Sequence, residues 1–526
     1  MAKKTVPEMH SGKAPTITVP GKRKIVLEDF RKMTSDWSPA VNSNLLFRKI
    51  YGFFPPYFKF FGTPSAQAEN LFPLVLSKEL TSVGATAMDG YPVAMMPAYN
   101  LNNVVLVANT WHVYGVDGGS GVTDYGIPAG SGLNSVGVEA IYFANKICTT
   151  IPINSGVYYK AADNTGVWAN VAFGGTNGLP RFMETFLDKL YVVTSSTGLP
   201  ATDRRVVRIV NSSFVESAGL DLGGNWWIQH IRNVDNRYLA IVASIYAGSS
   251  YGGVNQNVLF LWNGLASNSY DYAINFSGRY ACDLVKDGVL YVFVNQGPDL
   301  VCYALNNLRL TEVSRRRNTS VVSTLGNPRN FASVAGEYFV LATTAGVLYW
   351  NVKEDESFYA YDNLASSGAQ QVHTVMAQMV TGSGLWNFYF GKASVTPTSN
   401  FDLFKFDMSS STAMANASPV IETNWIRIPE GRGIIERIEV QYINPPPSVN
   451  DKITFAISYR DELNGTSTSY TAPDVTSANA DTRRALVENL GIDCSKFSLK
   501  GTITVATSTW ALQINKIIVY YVPINQ

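Results

Sequence analysis

A tight turn between two apolar strands recurs seven times in this chain, at intervals of 42 to 52 residues, the spacing of propeller blades. The turns fall at Asn102-Asn103, Ala144-Asn145, Asp188-Lys189, Asp235-Asn236, Asp287-Gly288, Gly336-Glu337 and Ser383-Gly384. Third strands follow at a looser distance: WHVYGV from Trp111, GVYYKA from Gly156, RVVRIV from Arg205, NVLFLW from Asn257, DLVCYA from Asp299, GVLYWN from Gly346 and DLFKFD from Asp402. A lone four-stranded sheet of this kind has two faces to bury, and radial stacking about an axis buries both while leaving only short edges. The pattern therefore reads as an all-β chain with a seven-bladed β-propeller over residues 79–420. Ring closure requires a strand from one end of this segment to complete a blade made at the other, and residues 80–88 are the candidate.

The flanks differ in character. Residues 1–78 read as a largely extended N-terminal arm, basic through Lys22, Arg23 and Lys24. Further on, IYGFFPPYFKFFG carries Tyr51, Phe53, Phe54, Tyr57, Phe58, Phe60 and Phe61. Pro55-Pro56 forbids a continuous helix through it. The ridge either packs back on its own domain or buries itself against another subunit, since such rings dominate interface energetics. Residues 421–526 alternate polar and apolar side chains along longer strands, the mark of a β-sandwich. Within them, ADTRRALVENLG at 480–491 is expected as one short helix.

A net charge of +1 argues against general attraction to nucleic acid or anionic membrane. Four cysteines, at 148, 282, 302 and 494, form neither a disulfide framework nor a C-x-x-C site. The start of the chain lacks a signal-peptide core and no apolar run reaches spanning length, so synthesis in a cytoplasm and no membrane span are expected. No catalytic, metal or cofactor motif is found. His230 and His373 both fall on expected innermost strands, where they either line the centre or meet as metal ligands. Arg315, Arg316 and Arg317 form a basic cluster read as a solvated blade edge, with phosphate or an acidic partner as the alternative contact. The Trp-Asp ending of WD repeats is absent from every unit.

Arm, propeller and terminal sandwich in this order resemble the tail nozzle, or packaged-DNA stabilisation, proteins of short-tailed bacteriophages. Local support lies in ETNWIRI, leading into IERIEVQYI and TFAISYRD, with SLKGTITVATSTWALQINKIIVYY closing the chain. The resemblance implies a structural virion protein, not an enzyme. It implies a hexameric ring that continues the DNA channel below portal and adaptor, lets DNA pass without sequence recognition, retains it, and anchors fibres or needle. Lys22, Arg23, Lys24 and the aromatic ridge would then be assembly contacts, in a virion tail assembled in the host cytoplasm. Two other functions compete. One is a receptor- or carbohydrate-binding propeller, with Trp226, Trp227, Trp262 and Trp386 as loop aromatics able to stack on sugars. The other is a polysaccharide-degrading enzyme, which needs convergent carboxylates.

Overall fold

The computed structural model describes residues 21–28, 30, 47–51, 53–54, 74–76, 81–82, 92–97, 104–108, 110–116, 122–128, 138–151, 156–174, 178–195, 205–223, 226–246, 254–265, 269–316, 328–343, 346–354, 356–361, 371–379, 386–393, 403–407, 419–460, 466–507 and 509–524. The chain divides into two compact units. One comprises Leu80–Asp355 and Asp362–Met408, the other Met1–Glu79, Glu356–Tyr361 and Ser409–Gln526.

The first unit is the propeller. Blades 1 to 5 are antiparallel four-stranded meanders over residues 92–126, 140–171, 179–217, 226–276 and 279–316. Blade 6 contributes Ala332–Ala335, Tyr338–Thr343 and Gly346–Asn351 to this unit. Blade 7 has Gln371–Met379, Trp386–Ala393 and Leu403–Asp407. Its fourth strand is Thr81–Ser82, registered against Lys405 and Phe404, so the ring is closed from the segment expected to do it. The first strand of each blade lies beside the first strand of the next, and that of blade 7 returns to that of blade 1.

Local chemistry explains the hairpins. Ala144 and Asn145, and Asp287 and Gly288, have positive φ in two-residue turns, the geometry whose twist matches paired strands. Asp235 and Asn236 also have positive φ, in a turn one residue longer that returns to Tyr238. In blade 3 the turn is Leu187 and Asp188, at φ 47° and 55°. That is one residue before the expected Asp188-Lys189. Phe186 is buried and pairs with Lys189, so the bulky ring keeps its place in the strand and Leu187 is left in the left-handed turn. The turns expected at 102–103 and 383–384 lie outside the described residues.

Apolar clusters fill the spaces between adjacent blades. One joins blades 3 and 4 through Tyr191, Ile209, Ile231 and Trp262, and others join blades 7 and 1, 1 and 2, 2 and 3, and 4 and 5. Trp262 is therefore core, at 1% exposure. Trp226 and Trp227 begin the first strand of blade 4. These three are not loop aromatics, because their strands need large apolar side chains between blades.

The second unit holds two sheets. In one, Gln513–Pro523 pairs with Gly433–Ile443 along one edge. Its other edge is covered in turn by Arg23–Leu27 and Leu74–Leu76. The other sheet orders Phe47–Tyr51, Val420–Thr423, Lys496–Thr504 and Lys452–Arg460. Both sheets thus take strands from the N-terminal stretch. Phe47 and Phe53 are fully buried, and Phe30 packs on Phe47 with ring centroids 5.0 Å apart. Residues 480–491 form no helix: Arg484–Val487 is a strand paired with residues 438–441. Ala485 and Val487 are buried and Arg484 exposed, a period of two that outweighs the helical propensity of Ala, Leu and Glu.

Gly156 leads into the third strand of blade 2 at φ +115°, and a Cβ there would overlap the Val171 carbonyl oxygen and the Asn170 side chain. Gly156→Ala is expected to cost about 3 kcal/mol, combining a clash with a forbidden backbone angle. Chemical denaturation will read this as a lowered midpoint, with the far-UV spectrum of the folded state unchanged.

Candidate functional site at the convergence of the blades

Where the seven first strands meet, the sequence places charge instead of hydrocarbon. Asp283 in the first strand of blade 5 is fully buried and accepts three side-chain hydrogen bonds. His230 Nδ1 of blade 4 donates at 2.8 Å and Tyr280 Oη at 2.6 Å, both to Oδ2. Arg232 Nε donates to Oδ1 at 2.6 Å, and its other nitrogen reaches the Asp283 carbonyl at 2.9 Å.

A backbone irregularity makes this possible. The strand register shifts between Tyr280 and Cys282, which lets Tyr280 and Asp283, three residues apart, point the same way. Equivalent shifts occur at Pro92/Ala94, Pro180/Phe182, Ile228/His230 and Val372/Thr374. Five of the seven inner strands therefore carry a bulge at this level, re-aiming side chains toward the centre.

Glu139, immediately before blade 2, is the second hub and is also fully buried. Its backbone is held by Thr149 and Thr150: the Thr150 hydroxyl accepts from its N–H at 2.8 Å, and the Thr149 hydroxyl donates to its carbonyl at 3.0 Å. Its carboxylate accepts from the Met183 amide of blade 3 and from Arg329 Nε. Arg329 lies in a 3₁₀ turn, Pro328–Phe331, that precedes blade 6. It also donates to the Met183 carbonyl at 2.7 Å and to Glu184 at 2.9 Å. His230 spans the two hubs, with Nε2 3.8 Å from Glu139 Oε1.

The remaining blades are tied in through neutral groups. Asn330 accepts from the Met95 amide of blade 1 at 3.1 Å. Ser333 of blade 6 accepts from the Ala377 amide of blade 7 at 2.9 Å. Every blade is thus joined to the centre by at least one polar contact.

Burial alone would raise the Asp283 carboxyl, but the His230 ring and the Arg232 guanidinium outweigh it and hold it well below the usual carboxylate range. Glu139 follows the same logic. Burial raises it, while Arg329, His230 and the Met183 amide lower it further. The same Asp283 charge adds to burial in pushing the Tyr280 hydroxyl up. An Asp–His pair next to Glu and Tyr has the raw materials of acid–base chemistry. His230 and Asp283 are both at 0% exposure, and their contacts tie blade 4 to blade 5.

His373 lies in the first strand of blade 7, as expected, and its side chain is outside the described residues. Among the described residues, no cluster of three metal-ligating side chains occurs. Lys22 and Arg23 form ion pairs within the chain, to Glu436 at 2.6 Å and to Glu430. Lys24 lies in the strand Arg23–Leu27, and Tyr51 and Phe54 lie in strands. Tyr57, Phe58, Phe60, Phe61 and Arg317 fall outside the described residues. Arg315 bonds Glu312, Asp299 and Gln296 along the edge of blade 5. Arg316 is buried, 5.3 Å from the centre of the Trp350 ring. Sequence reasoning found His230 and missed Glu139, Asp283 and Arg329. For Asp283 the available signal was an acidic residue inside an otherwise apolar inner strand; Glu139 and Arg329 lie outside the strands and gave no such signal.

No family model matches the chain, and no curated protein does. Among solved structures it is similar to the β-propeller domain of Cps50 (Swd1) from Myceliophteria thermophila, at 11% identity and TM-score 0.41, covering 60% of this chain and all of that one. It is also similar to the WD40 repeats of RRP9, at 8% identity and TM-score 0.43, covering 63% and 99%. For U3-55K the identity is 9% and the TM-score 0.43, covering 63% and all of that chain.

The network generates a pH prediction. Asp283 and Glu139 titrate lower in the folded chain than in the unfolded one, where carboxylates lose protons near pH 4. Their contribution is present above that pH and is lost as pH falls toward the folded values. Asp283→Asn leaves Arg232 without its counter-charge and is expected to cost about 3 kcal/mol or more at pH 7. Melting temperatures recorded from pH 7 to pH 3 should show the variant starting lower and declining less steeply than the parent chain.

Proposed function

We propose that this chain is a non-catalytic structural protein of a virion tail, working as a subunit of a ring in the manner of the nozzle proteins it resembles. The observation that carries the reading is the burial of charged groups where the blades converge, with His230, Asp283 and Glu139 all at 0% exposure. Side chains committed to one another in a buried ion network leave the outer surfaces as the part of the unit open to partners, so the unit acts through them. Rigid closure suits a part that must hold its shape within an assembly. A ring of such subunits passes DNA between them and not through a propeller axis. The building of N-terminal strands into the second unit also supports an assembly role, since the arm already supplies the strands at 53–54 and 74–76 to a sheet there.

A receptor- or glycan-binding role has one observation in its favour. A cleft of about 510 Å³ opens beside the inner hairpins of blades 2, 3 and 4, lined by Tyr142, Asp188, Ser212, Asn233 and Asn236 among others. Its size is that of a small-ligand site. Asn233 already donates to the Thr185 carbonyl and to Asn236, which leaves less polar capacity for a sugar.

Electron microscopy of the purified chain is expected to show six-fold annuli, and light scattering the corresponding mass. Replacing Tyr57, Phe58, Phe60 and Phe61 by Ser should yield monomers with the far-UV spectrum retained. A monomeric parent chain that binds glycans on an array would instead establish the second reading.

A further inference from the structure

Three cations stand side by side on one face of the second unit. Lys496 is directly opposite Arg427 in one neighbouring strand and directly opposite Arg460 in the other. Directly opposed residues share a face, with strands about 4.8 Å apart. Like charges in this relation destabilise a sheet, so the row is maintained against the preference of the fold. Trp425 lies against it, with Arg460 4.6 Å and Lys496 5.8 Å from the ring centre. Lys500 shares the face, opposite Glu422 in the adjacent strand.

The row has the other marks of an anion site. Arg460 Nε is buried with no hydrogen-bond partner. Among the described residues, neither Arg427 nor Arg460 has a carboxylate within ion-pair distance, and Arg427 is exposed. Lys496 is only 5% exposed; burial, with repulsion from Arg460 and Arg427, lowers its ammonium pKa. Two forked guanidiniums flanking an ammonium match the oxygens of a phosphoryl group better than a lone carboxylate does.

We propose that Arg427, Arg460 and Lys496, backed by Trp425, form a binding site for a phosphoryl group. The site binds by charge-assisted hydrogen bonds and relieves the mutual repulsion of the row. It does not depend on ring formation.

Thermal unfolding of the full chain in sodium phosphate and in sodium chloride at matched ionic strength tests this. The parent chain should gain stability in phosphate, and R427Q/R460Q should weaken the affinity read from that gain at least about tenfold, the loss of one charge-assisted hydrogen bond. R427Q alone, at an exposed position, guards against loss of folding and should show a partial loss. Fluorescence anisotropy with duplex DNA separates the two sources of the group. A salt slope reduced by about 0.9 for each lost contact in the variant identifies a nucleic-acid backbone, and a phosphate response without duplex binding identifies a free phosphoryl compound. Equal melting temperatures in phosphate and chloride overturn the proposal. So does an identical gain in the variant, or binding of poly-glutamate with no response to phosphate.

Discussion

Sheets packed radially bring their first strands to one place, and whatever fills that place must satisfy the polar groups buried there. Here the solution is ionic. Asp283 and Glu139 act as hubs, one collecting His230, Tyr280 and Arg232, the other Arg329 and the Met183 amide. Buried charges of this kind gain little net stability over well-packed apolar groups, yet losing one partner is costly. Their value is in geometric demand. An apolar contact between blades tolerates small rotations, whereas a carboxylate accepting three directed donors does not. The rigidity of the ring follows from the hubs more than from the clusters between blades.

This also bears on topology. The propeller begins with a strand that pairs with its own last strand, Thr81–Ser82 against residues 404–405. The two ends of the ring are therefore neighbours. A closed element with adjacent ends can be inserted into another domain without separating that domain's halves. The second unit makes use of this, assembling its sheets from residues that precede the propeller and residues that follow it. Its strand Gln513–Pro523 would otherwise present an open edge, and Arg23–Leu27 and Leu74–Leu76 cover it.

Much of this was legible in the sequence because strands and turns are local. The period of the hairpins, the seven third strands and the closing segment all rest on runs of a few residues, where alternation and turn chemistry speak directly. What stayed hidden is non-local. Nothing near Arg329 announces that it will meet Glu139 from 190 positions away. The bulges that aim Asp283 and His230 arise from strand pairing, which a single strand does not display. The strand Arg23–Leu27 was masked by its basic start, though Ile25, Val26 and Leu27 form a short apolar run. At residues 480–491 the helix formers were plain and the two-residue burial period spans only Ala485 to Val487. Tertiary pairing decided the outcome there.

The two units treat the same chemical groups in opposite ways, and the contrast says where binding is to be sought. At the centre of the propeller, guanidiniums and carboxylates lie next to one another, each of Arg232 and Arg329 has a carboxylate neighbour, and Asp283, Glu139 and His230 are fully buried. On the face of the second unit, Arg427, Lys496 and Arg460 stand in a row of one sign, next to an aromatic ring and partly open to solvent. A satisfied network resists any ligand, since binding would have to break contacts already made. A row of like charges lowers its free energy when a ligand of opposite charge arrives. Sites where a fold departs from its own local rules are those where function has overridden stability. By that criterion a ligand is to be sought at the cation row before the propeller axis.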